Sequence, residues 1–71
     1  MDIRIVDDIA DVAYRCDVRI DGTDNLRNGV KVFCSGDDVD IQEFSKILSK
    51  EYGYSVSRGF ISGNGYVIEV R

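Results

Sequence analysis

The chain has 71 residues, no proline, histidine or tryptophan, and a formal charge of −4. A chain of this size hides only about 60% of the surface its unfolded form exposes, which leaves room for one thin core in a single compact domain, 1–71, and none for a deep substrate cleft. Without histidine, the commonest general base and zinc ligand are missing, and thirteen acidic against nine basic side chains oppose a direct grip on nucleic-acid phosphates, which needs clustered Lys and Arg.

No apolar run approaches the roughly 20 residues of a membrane span. No basic segment leads into an apolar one at Met1, so neither membrane nor signal peptide is expected and the location read is cytoplasmic. Ile and Val number 17 against two Leu, and β-branched side chains suit a pleated sheet. All ten Asp fall in residues 1–40, which carry −5, while residues 41–71 carry +1.

In chain order, residues 2–6 read as a short extra strand or residues 7–13 as a helical turn. Residues 12–20 alternate, with Val12, Tyr14, Cys16, Val18 and Ile20 on one face, which predicts a half-buried strand. Residues 21–29 are dense in turn formers and residues 30–35 alternate again, so an antiparallel hairpin is expected. Asp40 is read as a helix N-cap in a capping box with Glu43, with Val39 and Phe44 as a hydrophobic staple. Ile41, Phe44, Ile47, Leu48 and Tyr52 recur at helical spacing, which predicts a helix over 41–52 that stops at a left-handed Gly53. Strands over 54–61 and 66–71 follow, joined by a turn at 62–65, with a bulge at Gly59. The expected fold is α+β: a four-stranded, mainly antiparallel sheet with one helix packed on one face, in the order ββαββ, with a possible extra short N-terminal element.

Pairing Ile20 with Val30 and Val18 with Val32 sets Cys16 opposite Cys34, as either a redox staple or two reduced core thiols. The same hairpin brings Asp7, Asp8 and Asp11 toward Asp37, Asp38 and Asp40, crowding six carboxylates on one rim. Such crowding is offset by a basic partner surface or by simple solvation; the spacing of a calcium-binding loop is absent, so no metal or other cofactor is expected. The face away from the helix is expected to carry Arg15, Asp17, Arg19, Lys31, Phe33, Ser55, Ser57, Glu69 and Arg71, a mixed-charge surface with too few aromatics for RNA stacking. An outer strand offers an edge for a homodimer. No nucleophile has an activating base, and the chain is not expected to be an enzyme.

From Arg27 onward, Arg27-Asn28-Gly29 with Lys31, Gly36, Asp37-Asp38-Val39-Asp40, the amphipathic helix to Tyr52 and Gly65-Tyr66-Val67-Ile68-Glu69-Val70 resemble the start-site-selection initiation factor family of archaeal and eukaryotic ribosomes. That resemblance covers about 45 residues and implies a small α/β domain of this strand and helix order. Two functions follow as expectations. The first is a non-enzymatic protein-binding module or small inhibitor, phage-like or from another mobile element, with Asp7, Asp8, Asp11, Asp37 and Asp38 meeting a basic, nucleic-acid-handling surface of a larger protein. The alternative is an initiation-factor-like ribosomal-subunit or RNA-binding domain that uses Arg15, Arg19, Arg27, Lys31 and Arg71.

Overall fold

The computed structural model describes residues 3–60 and 65–71. Along the chain run α1 (Ile3–Arg15), β1 (Arg19–Leu26), β2 (Gly29–Ser35), α2 (Asp38–Lys50), β3 (Val56–Phe60) and β4 (Gly65–Val70). The strands form one antiparallel sheet in the order β1-β2-β4-β3. The α+β class and the four-stranded sheet are as expected. The ββαββ order with a single helix is not: a full helix precedes β1.

That helix replaces the strand expected over 12–20. Ile5, Ile9, Val12 and Ala13 are buried at helical spacing and Cys16 packs partly against the same core, whereas Tyr14, assigned to the apolar face of a strand, is 89% exposed. Residues 12–16 satisfy both periods, and the upstream Ile5 and Ile9 select the helix. α1 ends in a Schellman turn. Asp17 adopts φ 59, its N–H donates to the Tyr14 carbonyl at 3.4 Å, and the Val18 N–H donates to the Ala13 carbonyl at 2.9 Å. Val18 and Ala13 are both buried, the hydrophobic contact that accompanies this motif.

The hairpin between β1 and β2 is tighter than the expected nine-residue connection. β1 runs through the turn-forming stretch to Leu26, which pairs with Gly29 across a two-residue turn at Arg27 and Asn28. The register also differs: Ile20 faces Cys34 rather than Val30, and an irregularity between Ile20 and Gly22 absorbs Asp21. Cys16, beyond the end of α1, therefore has no strand position opposite Cys34, and both cysteines are free thiols. Gly29 is required by close approach: a Cβ there falls 2.1 Å from the Val70 carbonyl oxygen and 3.0 Å from the Arg71 Cα.

α2 starts three residues earlier than expected. The Ile41 N–H donates to the Asp37 carbonyl at 3.0 Å, so Asp37 is the N-cap, without a side-chain cap bond, and Asp40 lies in the first turn. Val39 is therefore helical and 69% exposed rather than a staple. Gly36, at φ 156, turns the chain out of β2. The apolar stripe is as read: Ile41, Phe44, Ile47 and Leu48 are buried. Gly53 adopts φ 77 after a wide last turn in which the Tyr52 N–H donates to the Ile47 carbonyl and the Tyr54 N–H to the Leu48 carbonyl.

β3 and β4 pair in unbroken register from Val56 with Val70 to Phe60 with Tyr66, so no bulge forms at Gly59. Of the turn expected at 62–65, Gly65 opens β4 and 62–64 lie outside the described residues. Beyond β4, Ser55 and Arg71 exchange backbone bonds at 3.0 and 2.9 Å.

Val30, Val32 and Cys34 of β2 and Tyr66, Ile68 and Val70 of β4 join the buried residues of both helices in one core. Both helices therefore lie on the same face of the sheet. They run antiparallel. At one end, a Cβ on Gly36 falls 3.7 Å from the Asp17 carbonyl oxygen and 4.0 Å from Ile41 Cδ1, which joins the end of α1 to the start of α2. At the other, the Tyr54 hydroxyl, beyond the end of α2, reaches Asp8.

Candidate protein-binding surface

The amphipathic pattern that buries Ile5, Ile9 and Val12 of α1 leaves Asp7, Asp11 and Tyr14 on the opposite, exposed side. Their spacing of four and three residues sets them one above the other along the outer ridge of the helix. Tyr14, with Val39 one of only two exposed large hydrophobic side chains among the described residues, thus ends a ridge that begins with two carboxylates. The alternating pattern had placed Tyr14 in the core. The signal that finds it is the helical period of Ile5, Ile9 and Val12.

Asp8 is the inner member of the acidic set. It is half-buried and accepts a hydrogen bond of 2.6 Å from the Tyr54 hydroxyl. Asp38 holds the opposite end of α2: one carboxylate oxygen accepts from Gln42 at 2.6 Å and the other from the Tyr66 hydroxyl at 3.1 Å. Burial and this bond to Asp38 raise the Tyr66 pKa above its ordinary value, with Arg58 acting weakly in the opposite sense. Asp37 and Asp40 complete the first turn, where the helix dipole favours negative charge.

The six carboxylates do not share one rim. Asp8 and Asp38 are bonded to groups at opposite ends of α2, a helix of about 20 Å at 1.5 Å per residue. The expected convergence rested on residues 12–20 being a strand that returned beside β2. With α1 in their place, Asp7, Asp8 and Asp11 lie along a helix flank instead. No group of three or more His, Cys, Asp or Glu arranged to hold a metal ion occurs among the described residues.

What replaces the rim is a separation of charge between layers. The helical layer, 3–17 with 37–51, holds nine carboxylates against Arg4, Arg15, Lys46 and Lys50; the strand segments, 19–35 and 55–71, hold Asp21, Asp24 and Glu69 against five cations. The helices therefore carry −5 and the sheet +2. With Asp2, which precedes the described residues, these two opposite charges make up the net −4 of the chain.

The cations named for RNA binding are dispersed. Arg15 ends α1, Arg19 opens β1, Arg27 sits in the turn at the far end of β1, Lys31 is central in β2, and Arg71 follows β4. Arg19 is bonded to Asp21 at 2.9 Å and Arg71 to Glu69 at 2.8 Å, while Lys31 stands in register between Asp24 and Glu69. The open sheet face carries Arg19, Lys31, Phe33, Ser57 and Glu69 as expected, with Asp24 and Val67 added; Arg15 and Asp17 belong to the end of α1 and its turn, and Ser55 and Arg71 lie just outside β3 and β4.

Neither thiol is prepared for chemistry. Burial and the field of Asp21 push the Cys34 pKa up to about 11. Partial burial, then Glu43, raises that of Cys16, so both stay protonated and poorly nucleophilic at neutral pH. No helix of the described residues is long and apolar enough to cross a membrane. No protein-family model matches the chain, and no curated protein matches it.

Proposed function

We propose that this protein is a non-enzymatic binding module, of the kind used as small inhibitors by mobile elements such as phages, whose acidic helical layer docks on a basic surface of a larger, nucleic-acid-handling protein. One observation carries the reading: the separation of −5 on the helices from +2 on the sheet, with Asp7, Asp11 and Tyr14 forming the outer ridge of the acidic layer. Complementary fields steer such a partner and fix its orientation. A tyrosine at the end of this acidic ridge adds a rigid aromatic contact with a polar tip, the residue type enriched where binding energy concentrates. Asp8, Asp37 and Asp38 extend the field, and the bonds of Asp8 and Asp38 to Tyr54 and Tyr66 give them a mainly structural share.

The alternative, an RNA-binding domain using Arg15, Arg19, Arg27, Lys31 and Arg71, needs several cations facing one strand of phosphates. Two of the five are already bonded to carboxylates on their own strands. The experiment that tests the proposal compares wild-type and Asp7→Asn/Asp11→Asn/Tyr14→Ser protein as baits in a lysate of the source organism. The expected result is a basic protein retained by the wild type and lost by the triple variant. Equal retention by both baits, or retention of RNA alone, contradicts it.

A further inference from the structure

The sheet face turned away from the helices carries a pattern that matches itself. Register places Phe33 of β2 beside Val67 of β4, and the outer strands add Gly22 and Gly59 to the same row. The row therefore has an apolar centre and no side chains at either edge. In the next row but one along the strands, Lys31 stands beside Glu69. All four of these side chains are partly exposed.

Consider a second copy laid face to face across a two-fold axis that runs along the strands between β2 and β4. Such an axis exchanges β2 with β4 and leaves each row in place, so Phe33 meets the second copy's Val67 and Lys31 meets its Glu69. The glycine edges meet each other without a clash of side chains. Glu69 already accepts from Arg71 of its own strand, but a carboxylate has acceptor sites to spare. Aligned sheets pack within about 30° of parallel, so the rows stay in register near the centre, where these four residues lie. Charge forbids the other obvious pairing, because two helical layers of −5 repel. Two strand layers of +2 repel less, and this pairing keeps both acidic layers outermost.

From this self-complementarity we infer that the open sheet face is a homodimer interface formed by Phe33, Val67, Lys31 and Glu69. Four strands about 4.8 Å apart and roughly five residues long give a footprint of about 300 Å². That is small beside the ~800 Å² per partner of a standard interface, so the dimer is a dissociating one. It is independent of the proposed acidic docking and turns one acidic layer into two, facing opposite directions.

The test is sedimentation velocity of the intact chain from about 10 μM to about 1 mM, with amide chemical shifts recorded over the same range. The expected result is a concentration-dependent dimer whose shifts fall on β2 and β4 and spare the outer side of α1. Lys31→Glu and Glu69→Lys are each expected to be at least tenfold weaker alone, since each sets like charges against each other across the interface. Mixed in equal amounts they are expected to regain the wild-type affinity, because a hybrid of one chain of each variant has opposite charges at both of the contacts between positions 31 and 69. A wild type that stays monomeric at about 1 mM, shifts confined to the helices, or two folded variants whose mixture remains monomeric overturns the inference.

Discussion

The Tyr54 hydroxyl donates to the Asp8 carboxylate at 2.6 Å across 46 positions of sequence, tying α1 to the segment that leads from α2 into β3. Tyr66 and Asp38 form a second clasp of the same kind. A hydrogen bond to a charged, half-buried acceptor contributes roughly 1.5–3 kcal/mol. Tyr54→Phe is therefore expected to lower stability in urea unfolding by about 1–2 kcal/mol, with exchange of α1 amides accelerated more than those of β4. Uniform acceleration over the whole chain would mean that α1 is not held by this bond.

Gly29 and Gly22 make a contrast within one hairpin. A Cβ at Gly29 meets the Val70 carbonyl oxygen at 2.1 Å, while one at Gly22 meets nothing within 4 Å. Backbone cannot yield as a flexible side chain does, so Gly29→Ala is expected to cost more than about 2 kcal/mol, as overpacked sites do. Gly22→Ala is expected to fall within about 0.5 kcal/mol of wild type. Thermal unfolding of the two variants checks the register of β2 on β4 directly.

Asp17 holds a left-handed conformation, φ 59, at the end of α1. Glycine adopts it without the strain of roughly 1–2 kcal/mol that a Cβ imposes, against a larger entropy loss on folding. The expected balance for Asp17→Gly is a gain of about 0.5–1 kcal/mol, read as a higher midpoint in urea with unchanged slope.

Cys34 gives the fold an alkaline limit. Its pKa rises from 9.0 to about 11 on burial, so between those values the folded chain retains a proton that the unfolded chain releases. Stability is then at its full level below pH 9 and declines as pH rises toward 11, by about 2 kcal/mol at 1.36 kcal/mol per pKa unit. Tyr66, also raised, acts in the same direction above the ordinary tyrosine range. Cys34→Ala is expected to start from lower stability, because it leaves a small cavity, but to lose less between pH 9 and 11. An equal slope in both proteins would place the alkaline limit elsewhere.

The sequence was most readable where one period alone applied. Ile41, Phe44, Ile47 and Leu48 fit only a helix, Val30, Val32 and Cys34 only a strand, and all are buried where that reading puts them. Residues 12–16 fit both periods: a period of two puts Tyr14 on the inside of a strand, and 3.6 puts it on the outside of a helix. The position of the whole acidic set follows from that difference, since a shared rim requires residues 7–11 to lead into a strand beside β2. Glycines and Asp placed in an expected loop over 21–26 became an edge strand because pairing with β2 satisfies their backbone whatever their propensity. Charge by sequence segment showed −5 and +1. Charge by layer, which requires knowing that both helices share one face, is the distribution a partner meets.

The central claim, that the acidic helical layer is the binding surface, is tested most directly by comparing two charge-neutralised baits of equal charge change. Asp7→Asn/Asp11→Asn alters the ridge of α1, and Asp21→Asn/Asp24→Asn alters the edge strand of the sheet. With the partner captured by wild-type protein, isothermal titration at two salt concentrations is expected to show at least a tenfold loss of affinity for the α1 pair. The β1 pair is expected to stay within twofold of wild type, with the wild-type affinity falling as salt rises. Equal losses for both pairs, or a loss confined to the β1 pair, would contradict the assignment.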